Sequence, residues 1–403
     1  MNAQTDPSAP LSGILVADFS RVLAGPLATM TLADLGARVI KIERPGTGDD
    51  TRQWSPPSSK TGATYFESVN RNKESIVLDL NDPDDQALAK ELAGRADVLV
   101  ENFKPGGMEK LGLGYEALAQ ENPGLVYASI SGFGSGGGRD LPGYDFIVQA
   151  LGGLMSITGD NQGDPYKVGV ALVDVLTAKD ATVGILAALS ARTPSGLGRR
   201  IEVNLLSSLQ GALANQGQAY LGAGVLAKRL GNDHPSIVPY QLLATADEPL
   251  AVAAGNDAQF SRLCVAIGSP EIAVDPRFAT NSERVRHRQE LVLLLEAGLA
   301  VAGAQTWQDK LVSAGVPAGR VASIGEGIDY AEKLGLAPTI AVHDADGAII
   351  GRQIRHPITW TPPLPQRTQA PPGLGVHTHD VLNWLRSPRA GNPDNNPQAQ
   401  TDP

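Results

Sequence analysis

Asp174 is the residue whose setting most invites chemistry. It closes the run Lys167-Val168-Gly169-Val170-Ala171-Leu172-Val173, β-like in composition, and the nearly uncharged, Ala- and Leu-rich run 175–192 that follows has helical character. That order predicts a single carboxylate at the N-cap of a long helix, where free N–H groups and the positive end of the helix dipole favour the ionised form. Such a carboxylate serves either as a structural cap or as a nucleophile, and the residues alone leave both open. Other candidate chemistries fall away. Gly132-Phe133-Gly134-Ser135-Gly136-Gly137 has the spacing G-x-G-x-x-G, but Gly138-Arg139-Asp140-Leu141-Pro142-Gly143 follows where a helix must begin to receive a pyrophosphate, so no nicotinamide or flavin is expected. There is no Walker loop, no H-E-x-x-H and no G-x-S-x-G elbow. His377 and His379 stand close together without a third ligand and read as surface residues, so no metal is expected.

The elements that must position these residues alternate in type. Short apolar runs at 14–19, 38–43, 75–80, 98–101, 125–131 and 200–205 predict strands; between them, 25–35, 83–95 and 115–120 predict helices. Alternation of this kind predicts an α/β fold with a parallel sheet, whose ligands sit beyond the carboxyl ends of the strands. The segments there, 20–25, 44–48, 102–107 and 132–143, are polar and carry Gly or Pro. A helix is expected at 207–221, and Gly and Pro then become frequent from 222 to 239, suggesting a domain boundary. A smaller α/β unit follows, with a strand at 250–254 and helices at 257–267, 283–300 and 306–314. Prolines between 357 and 372 predict extended chain, and a last helix is expected at 380–386. The division expected is a large domain over 1–222, a small one over 223–330, a return to the large domain over 331–386, and a disordered tail from 387 to 403.

Length and composition agree with two globular cores: 403 residues exceed what one core usually fills. A net charge of −10 argues against nucleic acid and anionic membrane as partners. A single cysteine, Cys264, permits no internal disulfide and fits a reducing cytoplasm. The first twelve residues lack the marks of a signal or transit peptide, and no apolar run reaches the length of a membrane span.

Several separated motifs carry a family resemblance: Asp18-Phe19 with Ala24-Gly25-Pro26, Asp34-Leu35-Gly36-Ala37-Arg38-Val39-Ile40-Lys41-Ile42-Glu43-Arg44-Pro45, Asn70-Arg71-Asn72-Lys73-Glu74-Ser75, Glu101-Asn102-Phe103-Lys104-Pro105-Gly106, Gly143-Tyr144-Asp145 and the Asp174 stretch. Together they resemble the class III CoA-transferases, of formyl-CoA transferase and carnitine-CoA transferase type, from Leu11 to about Leu385. The resemblance implies a Rossmann-like large domain, a smaller α/β domain and an interlocked homodimer. It also implies coenzyme A and acyl-CoA as substrates rather than a tightly bound cofactor. The family's acyl-accepting aspartate falls on Asp174, which would pass through a mixed anhydride and an aspartyl-CoA thioester while water is excluded. Oxyanion donors are expected from the helix start after Asp174 or from Gly152-Gly153.

The coenzyme contacts implied by the resemblance fall on Val22, Leu23, Ala24, Arg44, the segment from Leu78 to Asn81, Asn102, Phe103, Lys104, Lys110, Gly143 and Tyr144, with Asp145 helping to orient the nucleophile. The same fold hosts α-methylacyl-CoA racemases, which carry Gly-His-Asp where this chain has Gly143-Tyr144-Asp145; a phenol is a poor replacement for that histidine at neutral pH. The segment Gly255-Asn256-Asp257-Ala258-Gln259-Phe260 also looks like the transferase form. A coenzyme-binding protein without transfer activity is the other alternative, and the retained Asp174 speaks against it. Asn204-Leu205-Leu206-Ser207-Ser208 and the segment Gly231-Asn232-Asp233-His234-Pro235-Ser236 are similar to those of succinyl-CoA:glutarate and related dicarboxylate CoA-transferases. A short dicarboxylate is therefore expected, its distal carboxylate met by His234 or Arg21.

Overall fold

The computed structural model describes residues 7–388; the tail expected from 387 onward lies, from 389, outside the described residues. In chain order the first half contains β1 (Leu15–Asp18), α1 (Ala24–Asp34), β2 (Arg38–Glu43), α2 (Thr64–Glu67), β3 (Lys73–Val77), α3 (Pro83–Arg95), β4 (Val98–Glu101), α4 (Gly107–Lys110), α5 (Tyr115–Glu121) and β5 (Val126–Ser131). It continues with α6 (Asp145–Leu151), α7 (Leu154–Ile157), α8 (Leu172–Ser195), β6 (Arg200–Asn204), α9 (Leu205–Ala212) and α10 (Ala214–Ala223). The six strands form one sheet in the order β3-β2-β1-β4-β5-β6, every pair parallel. The fold is α/β.

That order reverses between β1 and β4. The chain builds outward from β1 to β3, returns to the centre, and builds the other way, so the loops leaving β1 and β4 diverge and open a crevice. The strands are short and apolar because both faces are covered: Val16, Ala17, Ile40, Leu99 and Val100 are fully buried. Helix α3 starts where the sequence says it should, with Asp82 accepting the N–H groups of Asp84 and Asp85 and Pro83 in the first turn.

The chain divides into two units. The first comprises the residues up to Gly152, Gly169–Gln218 and the residues from Ala337 onward, including the antiparallel hairpin of β10 (Thr339–His343) and β11 (Ile349–Ile354) and the helix α16 (Thr378–Arg386). The second comprises Gly153–Val168 and Ala219–Leu336. It holds a three-stranded antiparallel sheet of β7 (Tyr240–Leu243), β8 (Leu250–Ala253) and β9 (Ala318–Arg320), with helices α11 (Asp257–Ala266), α12 (Asn281–Arg286), α13 (Arg288–Leu299), α14 (Ala304–Ser313) and α15 (Ile324–Lys333). Its core gathers Phe260, Leu263, Cys264, Leu291, Leu295, Leu299 and Trp307. Arg284 is buried there, donating to the carbonyls of Val238 and Phe278 and to Asp257 while stacking on Phe260.

Four expectations change. Residues 167–171 form no strand, and α8 begins at Leu172, so Asp174 lies in its first turn and not at the N-cap. The helix expected at 207–221 is two helices that meet at Ala214, which has φ 43°. The one expected at 283–300 breaks at His287. His377 is not a free surface residue, since its Nδ1 accepts the Ser75 N–H and joins the start of α16 to β3.

Candidate functional site

Beyond the carboxyl ends of the central strands lies a cavity of about 650 Å³. Its wall takes Arg21, Val22, Leu23 and Ala24 from the loop after β1, Asp50 and Trp54 from that after β2, and Asn102 to Pro105 from that after β4. The end of β5, much of the segment from Gly132 to Asp145, Asp174 on α8 and Leu205 at the start of α9 also line it. Eleven of the residues singled out from the sequence thus meet in one place: Arg21, Val22, Leu23, Ala24, Asn102, Phe103, Lys104, Gly143, Tyr144, Asp145 and Asp174.

The others stand elsewhere. Leu78 is a core side chain, 1 % exposed. Asn81 turns its amide toward Asp79 in an exposed loop. Lys110 is exposed at the end of α4. Arg44 is exposed and pairs with Asp50 and Thr47, so it is tied to the cavity rim through a neighbour. His234 belongs to the second unit, where its Nδ1 accepts the Ser236 N–H and its ring lies 5.1 Å from that of Tyr240. Trp54, Asp50, Phe133 and Arg139 line the cavity without having been singled out. The loop after β2 continues past residue 48 to Trp54, and that continuity is the signal in the sequence for Asp50 and Trp54.

Asp174 owes its environment to Asp145. One Asp145 oxygen accepts the N–H of Val173 at 2.7 Å and that of Asp174 at 3.2 Å, while the other accepts the Gln149 amide at 2.6 Å. The cap of α8 therefore comes from the start of α6, 28 residues earlier for Val173. Of the donors expected to meet an oxyanion, the Val175 N–H is bonded to Ala171 and the Gly152 N–H to Val148. Burial and the Asp145 charge push the Asp174 carboxyl up to about 7. The sequence expectation of a dipole-stabilised anion is reversed, because burial and then the Asp145 charge both favour the protonated form. Tyr65 on α2 feels the same charges: burial, then Asp174, Asp145 and Asp49, raise its phenol to about 12, and its ring meets Trp54 edge-on at 5.1 Å.

The placement of Asp145 depends on the loop before it. Gly132 and Gly143 touch backbone to backbone: a Cβ on Gly132 would lie 2.3 Å from the Gly143 Cα, and one on Gly143 2.4 Å from the Gly132 Cα. Only glycine fits at either position.

On the other side of the cavity, the turn after β1 is held by side chains. Asn102 accepts the Arg21 N–H at 2.9 Å and donates to the Arg21 carbonyl at 2.7 Å. Asp49 accepts the Val22 N–H at 3.2 and 3.3 Å. Val22 sits at φ 72°, a left-handed conformation that costs a β-branched residue about 1–3 kcal/mol. The guanidinium of Arg21 lies 3.3 Å from Asp50 and 5.6 Å from the Phe103 ring centre.

Beneath this turn lies a buried ionic cluster. Lys41 pairs with Asp49 at 2.9 Å and Lys73 with Asp18 at 3.0 Å, all four side chains without exposure. Burial opposes the charge on Asp18, but Lys73 and Lys41, with the hydroxyls of Ser20 and Thr29, bring its carboxyl down to about 2.

Comparison with known proteins places these features in a family. The model of CoA-transferase family III matches residues 11–378. The succinyl-CoA:glutarate CoA-transferase of Mus musculus is 42% identical over 94% of this chain and 86% of its own length. The succinate–glutarate CoA-transferase of Agrobacterium fabrum is 43% identical over 94% of this chain and 96% of its own. The crystal structure of a CAIB/BAIF family protein from Brucella suis superposes with a TM-score of 0.85 at 39% identity, covering 94% of this chain and all of that one. The chain belongs to CoA-transferase family III and is a CoA-transferring enzyme.

Proposed function

We propose that the protein moves coenzyme A from an acyl-CoA such as succinyl-CoA to a short dicarboxylic acid, with Asp174 as the covalent carrier. The observation that carries this reading is a carboxyl group raised to about 7 in the same cavity as the Val22–Ala24 turn and the Asn102 to Lys104 segment. A carboxylate with raised proton affinity is the better nucleophile once ionised, and perturbed acids in clefts mark reacting groups.

The steps balance without any further reactant. An Asp174 oxygen attacks the thioester carbonyl, the C–S bond breaks, and coenzyme A leaves as thiolate from a mixed anhydride. The thiolate then attacks the Asp174 Cγ and expels the donor acid, leaving an aspartyl thioester. The acceptor carboxylate attacks that carbon and releases the thiolate. Attack of the thiolate on the acceptor's acyl carbon gives the new acyl-CoA and restores Asp174. An anhydride holds enough free energy to pass the thioester on, which a serine ester would not. Asp145 orients the start of α8 and keeps Asp174 basic. Water is kept from these intermediates by the loop 132–143.

Coenzyme A lies along Val22, Leu23, Ala24, Asn102, Phe103 and Lys104, with Gly143 and Tyr144 opposite and Arg44 at the rim through Asp50. Arg21 meets the distal carboxylate of the acid, a reading supported by its place in the cavity and by the dicarboxylates in the names of the relatives. His234, engaged with Ser236 and Tyr240, pins its own loop. The working form is a homodimer, a reading supported by the exposed apolar side chains Tyr144, Phe146, Leu151 and Val183. A cytoplasmic setting is supported by the lone, buried Cys264. Among the described residues no single helix is long and apolar enough to cross a membrane.

Incubation with succinyl-CoA followed by peptide mass spectrometry tests the carrier. The expected result is a coenzyme adduct, or a hydroxylamine-sensitive label, on the peptide holding Asp174. The same adduct on Asp174→Ala would overturn the assignment.

A further inference from the structure

Among the described residues, Val22 is the one β-branched residue at positive φ. The groups that hold it converge on a single ammonium. Lys41 Nζ donates to the Ser20 carbonyl at 2.7 Å, on one side of Arg21, and pairs with Asp49 at 2.9 Å. Asp49 accepts the Val22 N–H on the other side. Asp49 is itself fixed, because it also accepts the N–H of Thr51 at 3.0 Å and its hydroxyl at 2.8 Å. Asn102 clamps Arg21 between them. Three successive residues of one turn are thus tied by side chains from two other loops and a strand. A strained turn persists only where its surroundings over-determine it, and such turns cluster where geometry is used. Ion pairs without exposure are poor sources of stability in themselves, so their placement under this turn calls for another reason.

We propose that the buried Lys41–Asp49 pair is a positioning device for coenzyme binding: it locks Val22 in its left-handed turn and so keeps residues 22–24 in the shape that receives the acyl-CoA. Asp49 and Lys41 do not line the cavity and act through Val22. The proposal rests on the reading that residues 22–24 touch coenzyme A.

The test is a double-mutant cycle read by steady-state kinetics with succinyl-CoA and glutarate. Asp49→Asn keeps size and an acceptor but loses the charge that Lys41 holds. In the Val22 protein it is expected to raise the KM for succinyl-CoA about tenfold, the scale of the strain released, with kcat within about twofold. In Val22→Gly, where glycine adopts the left-handed turn untethered, the same change is expected to cost about twofold or less. Equal effects in both backgrounds, or a loss confined to kcat, would overturn the proposal. Should Asp49→Asn not fold, Thr51→Val, which removes one of the bonds fixing Asp49 and no charge, takes its place, with about threefold in KM and the same dependence on residue 22 expected. Lys104→Ala leaves the tether intact and is expected to raise KM alike in both backgrounds. If it is silent, the coenzyme assignment fails; an uncoupled Asp49→Asn overturns the tether.

Discussion

Asp18 and Asp174 are both aspartates of the first unit, and their surroundings drive them in opposite directions. Asp18, at the end of β1, has no exposure yet lies at about 2, because Lys73 touches it and Lys41 is near. Asp174 lies at about 7, because burial raises it and its charged neighbour, another carboxylate, adds to the rise instead of opposing it. Burial alone does not rank them; the sign of the adjacent charge does. The first acid is held as a permanent anion that helps shape a turn. The second is held at the edge of ionisation, where a small change of environment switches it.

The comparison breaks most visibly on removing each acid. Asp174→Asn is expected to lower turnover by ~10⁴-fold or more, as loss of a covalent carrier does, while thermal unfolding at pH 8 shows no loss of stability. Asp18→Asn is expected to do the reverse in kind, costing about 3–5 kcal/mol by leaving Lys73 buried without its counter-charge, read from denaturant unfolding. If Asp18→Asn unfolds at the wild-type midpoint, the ion cluster is not the anchor described above.

A smaller effect sharpens the contrast at Asp174. Asp145→Asn removes the neighbouring charge, so the acid limb of the pH profile of kcat/KM for acyl-CoA, expected near 7, should move to lower pH. The same change weakens the cap of α8 by about 1 kcal/mol. An unmoved limb would mean that another group sets it; Glu101, raised by burial to about 7, is the first candidate.

The smallest effect is on stability against pH, where the two acids have opposite signs. Asp174 binds its proton more tightly folded, about 7, than at its ordinary value of 3.8. Its contribution therefore falls as pH rises through that window and is flat above it. Asp18, at about 2 folded, contributes stability that is present above 3.8 and lost as pH falls toward 2. The thermal midpoint should thus fall more between pH 5 and pH 8 in wild type than in Asp174→Asn, and acid unfolding below pH 4 should be blunted in Asp18→Asn.

Much of the sheet was legible from residue order. The run Val98 to Val100 is continuously apolar and buried, Val39 to Ile42 is apolar apart from Lys41, and the alternation of such runs with helices predicts a parallel sheet. The sequence placed β3 two residues late, since Lys73-Glu74 looks like loop until Lys73 is seen to neutralise Asp18. The hairpin of β10 and β11 was missed because its outer residues, Ile349 and Ile354 among them, are exposed and show no core-facing alternation. Motif resemblance singles out Asp174, but its titration is not legible in the sequence, because it depends on burial and then on Asp145, which no local pattern links to α8.

The touching glycines at 132 and 143 tie off the intervening loop like the neck of a bag. A change between 134 and 141 alters the cavity wall that Gly134, Gly138, Arg139 and Leu141 supply, yet the close approach of the two glycines fixes where the chain leaves that loop, so the start of α6 and the Asp145 carboxyl beside Asp174 keep their place.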